Sequence, residues 1–221
     1  ERIRYTSPHR SDFTERTLEA LAACEKVMPH IHLPLQSGSN RVLERMRRIY
    51  TIEEYEALVG KMRHAIPGVS LTTDIIVGFP GETVEDFEET RAFMRRMGYD
   101  SAFVFKYSPR PGAKAAEWED DVPEKEKARR IALLIDEQKQ ASLERNEAQV
   151  GREVEVLVEG PSKRNPEHWF GKTRHFKTAV FRHEDESVGD LVTKRIAAVS
   201  PYTLFGEGVS SRALVEEDAT P

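Results

Sequence analysis

The sequence predicts an α/β fold followed by a small all-β module. Three observations carry this reading. Strand-like and helix-like segments alternate over residues 1 to about 108, which implies parallel strands joined by right-handed crossovers. One segment, "VSLTTDIIVGF", is apolar on both faces through its "IIV" centre, as strands of parallel sheets are. From "GREVEVLVEG" onward the alternation has period two and turn residues recur at short intervals, the pattern of a small antiparallel barrel or sandwich.

Taken in order, "RIRYTS" reads as a strand and "DFTERTLEALAACEKV" as a helix, with Leu18, Leu21 and Ala22 in helical rhythm. "HIHLPL" is the next strand. "TIEEYEALVGKMRHAI" opens with Thr51 three residues before Glu54, a capping-box spacing, and repeats Tyr55, Leu58, Val59 and Met62 on one face. After "VSLTTDIIVGF", the helix "TVEDFEETRAFMRRMG" is capped by Thr83 and stopped at Gly98, and "SAFVFKYS" is a further strand. A long charged helix runs from Pro123 to about Gln149, with Ile131, Leu134, Ile135 and Gln138 as its apolar stripe. Strands are expected near 152–159, 177–182, 190–197 and 202–206. This places a domain boundary near residue 148: residues 1–148, then 149–208, then a frayed tail over 209–221.

With 221 residues, 38% of them hydrophobic and 32% charged, the composition is that of a soluble globular protein of one large or two ordinary domains. No run approaches the roughly 20 apolar residues of a membrane span, and no secretory leader is visible. The chain opens on "ERIRY", without Met and with strand-like alternation, so we expect it to begin inside a domain. Its one cysteine, Cys24, cannot form an internal disulfide, which fits a cytoplasmic location; a lone helical cysteine reads as a small buried hydrophobe. The net charge of −5 argues against a chain that coats nucleic acid all over, but leaves room for a local basic patch.

In parallel α/β sheets ligands gather at the C-terminal ends of the strands. Gln36 to Ser39, Gly78 to Gly81 and Ser108 to Gly112 all follow strands, so they should meet on one rim. Gln36 offers an amide, Ser37 and Ser39 offer hydroxyls, and Gly38 permits close approach. The simpler alternative is a connecting turn with Ser39 as the helix cap. Arg48, after the following helix, has the planar fork that suits a carboxylate. Asp74 lies inside an apolar strand and must reach a ligand group or a backbone donor. His30 and His32 share one strand face, where a metal pair competes with structural hydrogen bonding. In "KRNPEHWFGKTRHFKTAVFR", residues 163–182, six Lys or Arg stand against one Glu, with Trp169, Phe170, His175 and Phe176 interleaved. Cations on phosphates and rings on unpaired bases hold single-stranded or looped RNA; a core of alternate aromatics with a wet basic face would look the same.

"HLPLQSGSNRVLERMRR", "TTDIIVGFPGET" and "FKYSPRPG" together resemble the second half of a radical S-adenosylmethionine (SAM) barrel, and more narrowly the methylthiotransferase family. "RYTSPHR" fits too, although members usually have Pro where Arg10 stands. The resemblance implies the C-terminal portion of a partial parallel (β/α) barrel followed by an OB-like antiparallel barrel of TRAM type. It implies SAM contacts at Ser7, Gln36, Ser37, Arg48, Asp74, Ile76 and Gly78, with Arg48 toward the methionine carboxylate and Ile76–Gly78 beside the adenine. The family also uses two 4Fe-4S clusters, one on a CxxxCxxC loop. This chain has no such loop, so by itself it is expected to be inactive.

"LVEGPSKRNPEHWFGKTRHFKTAVF" is similar to the TRAM domain of the tRNA-modifying branch, which implies RNA contacts at Lys163, Arg164, Lys172, Arg174 and Lys177. The implied activity of an intact enzyme is addition of a 2-methylthio group to an isopentenylated adenosine beside the anticodon. The implied partners are a tRNA anticodon stem-loop and an external electron donor, with no DNA and no membrane. Two other readings stay open: the same chemistry on a ribosomal-protein aspartate, and a non-catalytic RNA-binding protein.

Overall fold

The computed structural model describes residues 2–5, 10–163, 165 and 167–209, with the backbone alone at Ser11. The chain divides into two compact units: residues 1–27 with 31–138, and residues 28–30 with 139–221.

The first unit is built on a three-stranded sheet in the order β1 (His30–His32), β2 (Ser70–Val77), β3 (Ser101–Lys106). β2 and β3 pair in parallel, with Asp74 opposite Phe103 and Ile76 opposite Phe105. The helices are α1 (Glu15–Ala23), α2 (Asn40–Arg45), α3 (Ile52–Ala65), α4 (Val84–Met97) and the first part of α5 (Glu124–Glu147). Thr51 with Glu54, and Thr83 with Asp86, form reciprocal capping boxes at the starts of α3 and α4. Their apolar faces bury Tyr55, Val59, Met62, Phe87 and Phe93 with Ile75 and Val77 of β2. Alternation along β2 therefore sends Ile75 and Val77 to the helices and leaves Asp74 and Ile76 half-buried on the other face.

Two expected strands shrink. Of "RIRYTS", the described part makes only one parallel bridge, Ile3 to Val27. "HIHLPL" is regular strand over three residues only, because past the Leu33 N–H, which donates to the Thr72 carbonyl, the backbone ladder to β2 is interrupted. The neighbouring strand repairs the gap. Thr73 Oγ1 donates to the Leu33 carbonyl at 2.8 Å and accepts from Leu35 N–H at 2.9 Å, and the backbone ladder resumes as Gln36 N–H donates to Asp74 O. Cys24 is exposed just past α1 and not the small buried hydrophobe expected, since α1 buries only Leu18.

In the second unit β4 (Glu153–Pro161), β5 (His168–Thr173), β6 (Thr178–Arg182), β7 (Leu191–Val199) and β8 (Thr203–Gly206) close into a barrel in the order β4-β5-β6-β8-β7. Val156, Val158, Ala179, Phe181, Ile196 and Leu204 fill it. One seam, β6 with β8, is parallel where only antiparallel pairing was expected. A closed ring with an odd number of strands cannot alternate direction throughout. β5 is the strand that the period-two reading missed. Gly171 interrupts its side-chain pattern, yet a Cβ there would lie 2.1 Å from the Leu157 carbonyl oxygen, so the close β4–β5 approach requires glycine.

Replacing Thr73 by Val, which keeps the shape and removes the hydroxyl, should cost about 1–3 kcal/mol in urea unfolding, because a buried donor and acceptor lose their partner. Thr73→Ser should recover most of it. A loss within experimental error for Thr73→Val would mean that the Leu33 carbonyl and Leu35 N–H do not need this bridge.

Candidate functional site

The strand ends of the first unit open onto a cavity of about 670 Å³. Gln36 lines it from the segment after β1, Asp74 and Ile76 from β2, Phe79 from the loop after β2, and Ser108 and Arg110 from the loop after β3. The three strand-end segments thus share one hollow. Gln36 has φ 72, a left-handed conformation that costs a non-glycine residue about 1–3 kcal/mol. Backbone bonds hold it there on both sides, Gln36 N–H to Asp74 O and Ile76 N–H to Gln36 O.

The polar residues after Gln36 face the opposite way. Ser37 is fully buried. Its Oγ accepts from Ser39 N–H and lies 3.4 Å from Thr90 Oγ1 of α4. Gly38 N–H donates to Thr90 Oγ1 at 3.0 Å, and Ser39 Oγ donates to Asp86 Oδ1 at 2.7 Å. Ser39 starts α2 without capping it, because its hydroxyl is spent on Asp86. Arg41 binds both oxygens of the same carboxylate. Burial works to raise the Asp86 pKa, but the bonds from Arg41, Ser39 and Thr83 outweigh it and hold the carboxyl well below its usual range. So Gln36 alone of this group is presented to the cavity; the serines anchor the turn to α4.

Arg48 lines the cavity and is exposed. Asp74 meets a partner that the sequence did not suggest, His32: Nε2 lies 3.3 Å from Oδ2, while Nδ1 is 2.9 Å from Thr72 Oγ1. That accounts for His32 by structural hydrogen bonding, and no group of three metal-ligating side chains occurs among the described residues. Gly78 is not brought to the cavity. Its N–H donates to the Glu82 carboxylate, and a Cβ there would fall 2.4 Å from Lys127 Cγ of α5. Ser7 and Arg164 lie outside the described residues.

Sequence reasoning missed the aromatic wall. Phe79 packs edge-on against Tyr107 (5.2 Å) and Trp118 (5.9 Å), and the Arg45 guanidinium sits 4.8 Å over Trp118. The signal was present as aromatic residues in the loops after two parallel strands. Two ion pairs with buried cations lie in the same unit: Arg130 pairs with buried Glu82 at 2.6 Å, and Lys127 with the exposed Asp120 at 2.6 Å. Burial raises the Glu82 carboxyl, partly offset by Gly78 N–H and Arg130.

In the second unit Lys172, Arg174 and Lys177 cluster on the β5–β6 hairpin. Lys172 Nζ donates to Thr178 Oγ1 at 2.7 Å and lies 5.0 Å from the centre of the Phe176 ring. Arg174 stands 3.8 Å from Glu155, and Lys177 Nζ donates to Asn146 Oδ1 at 2.7 Å. Lys163 is exposed in the loop after β4. Phe176 is exposed, whereas Trp169 stacks on His183 at 4.2 Å and packs on the barrel core. The interleaved aromatics therefore divide between core and surface.

Residues 1–94 match the family model of the Radical SAM superfamily, and residues 147–209 match that of the TRAM domain. Among curated proteins, the chain is 47% identical over 207 residues to a tRNA-2-methylthio-N(6)-dimethylallyladenosine synthase of Syntrophomonas wolfei, covering 94% of this chain and 46% of that protein. Proteins of the same name from Moorella thermoacetica and Carboxydothermus hydrogenoformans are 47% and 48% identical, over 95% and 93% of this chain and 47% of each of theirs. The chain thus spans about half the length of these relatives. Among solved structures, coproporphyrinogen III oxidase from Escherichia coli, described as a radical SAM enzyme, superposes with a TM-score of 0.52 at 23% identity, over 61% of this chain and 31% of that one.

The Asp86 clamp has a pH signature. A depressed carboxyl pKa contributes stability that is present above the unfolded value, about 3.9, and lost as pH falls below it. Asp86→Asn should therefore lower the melting temperature at neutral pH, and the gap to wild type should narrow as pH falls through 4. A gap that stays constant with pH would contradict this assignment.

Proposed function

From the matches to the Radical SAM and TRAM family models and the similarity to named tRNA-modifying synthases, we propose that the chain belongs to the radical SAM methylthiotransferase family and is the cofactor-cradling and RNA-holding part of a tRNA methylthiotransferase. The activity proposed for the whole protein is that named for its relatives, placing a 2-methylthio group on an isopentenylated adenosine next to the anticodon. The observation that carries this reading is the joint presence, on one chain, of a cavity at parallel strand ends and a closed five-stranded barrel with a basic hairpin.

SAM fits the cavity. A hollow of about 670 Å³ is within the roughly 300–1,000 Å³ range of ligand pockets. Arg48 supplies a planar cation for the methionine carboxylate. Asp74, oriented by His32, supplies an acceptor for an ammonium or ribose hydroxyls. Gln36 and the Ile76 strand border the nucleoside. Ser37 and Gly78 belong to the same proposed site as its support, one tying the Gln36 turn to α4 and the other seating the β2 loop on α5. Ser7 completes the proposed set. When bound, SAM supplies a transferable methyl group and, on reductive cleavage, a radical that abstracts hydrogen. The chain's own residues bind and orient it, and the Phe79–Tyr107–Trp118 wall keeps water from one side.

The iron–sulfur clusters of the family do not fit this chain. They take several thiolates, and the one cysteine, Cys24, is exposed beyond α1. Their ligands and the external electron donor belong to other parts of the proposed enzyme. We further propose that residues 1–148 form the barrel portion, 149–208 the RNA-binding domain and 209–221 a tail, and that the enzyme is cytoplasmic. No helix among the described residues is long and apolar enough to cross a membrane.

The proposed RNA contacts are Lys163, Arg164, Lys172, Arg174 and Lys177, with the anticodon stem-loop as partner. An isopentenyladenosine-bearing anticodon stem-loop should bind the chain with strong salt dependence, and Lys163→Ala should reduce the log–log salt slope by about one. Failure to bind at moderate salt would favour the ribosomal-protein reading.

A further inference from the structure

The cavity carries more positive charge than its proposed cofactor can use. Its lining includes Arg45, Arg47, Arg48, Lys106, Arg110 and Lys114 against one acid, Asp74. Two of the six cations are engaged within the fold: Lys106 pairs with Glu124, and Arg45 donates to the Pro80 carbonyl and lies over Trp118. Asp74 hydrogen-bonds His32 and is the acceptor proposed above for the SAM ammonium. Arg47, Arg48, Arg110 and Lys114 remain, all exposed, and none is ion-paired with a carboxylate among the described residues.

SAM carries a sulfonium and an ammonium against one carboxylate, a net charge of +1. It gives a reason for one of the four cations, Arg48, and is repelled by the others. Three cations without a carboxylate partner, around a hollow lined by exposed Phe105 and an aromatic wall, call for a polyanion that also carries a flat ring. Holding them there without one costs self-repulsion. Lys114 lies in the short 3-10 turn Lys114–Glu117 and Arg110 in the loop that precedes it, both between β3 and α5. Arg47 follows α2, so the charges stand on two separate loops.

We propose that Arg47, Arg110 and Lys114 form a phosphate clamp that grips the RNA backbone on either side of the nucleotide presented to the cavity. This rests on the RNA reading above and adds a second RNA contact site, outside the TRAM domain and within the first unit. The ligand it takes is the phosphodiester, held by charge without base readout.

The test is the salt dependence of binding of the same anticodon stem-loop to the full chain, followed by fluorescence anisotropy. Arg110→Gln with Lys114→Gln should weaken binding and lower the log–log salt slope by about 1.5, since two phosphate contacts are lost. Arg110→Lys, which keeps the charge and removes the fork, should leave the slope at its wild-type value. Both sites are exposed, and equal melting temperatures would confirm that the variants fold. If Lys163→Ala lowers the slope and the double variant does not, the clamp is overturned and the TRAM reading stands. If the wild-type chain binds no RNA at any salt, both are overturned.

Discussion

The carboxylate of Asp86 ties the strand ends to the helix layer, and the geometry of the cavity depends on that tie. One oxygen receives the Ser39 hydroxyl, the other receives Thr83 N–H, and Arg41 reaches both. A single side chain therefore caps α4 and fixes the turn that follows β1, while Thr90 one helical turn later holds Gly38. With the turn pinned from behind, Gln36 stays in its left-handed conformation and faces the hollow. The cost of that conformation is met by hydrogen bonds on the far side of the sheet.

The same logic orders the loop after β2. Glu82 accepts from Gly78 N–H and from Arg130 of α5, which seats the tight turn that carries Phe79. Phe79 then stands between Tyr107 and Trp118. Buried pairs such as Arg130–Glu82 add little net stability compared with apolar packing; their value lies in fixing where the backbone turns. In both loops ionic groups on the helix side set the position of neutral groups on the cavity side. The cations on the cavity rim and on the β5–β6 hairpin belong to a chain whose net charge is −5. Local distribution, not the total, makes an RNA reading physically sensible.

Much of this was legible in the sequence because it is local. The Thr51 and Thr83 caps, the Gly98 stop and the apolar stripes are set by spacings within a few residues, and the structure keeps them. The meeting of three strand ends followed from the parallel topology. What could not be read is set by partners distant in sequence. Ser37 and Ser39 look like ligand groups until α4, some fifty residues on, takes them. Asp74 needed a partner, and only the register of β1 against β2 makes it His32. Gly78 looked like part of the cofactor border, but α5 packs against it. β5 hid behind Gly171, a residue demanded by the neighbouring strand and not by its own pattern.

The claim that the strand ends form one nucleoside pocket is tested most directly by hydrogen exchange on the full chain with and without added SAM. Slowed exchange is expected, confined to residues 36–39, 74–79 and 107–118, three chain segments that meet around the cavity. Protection spread evenly over the first unit, or absent from the 36–39 turn at saturating ligand, would contradict it.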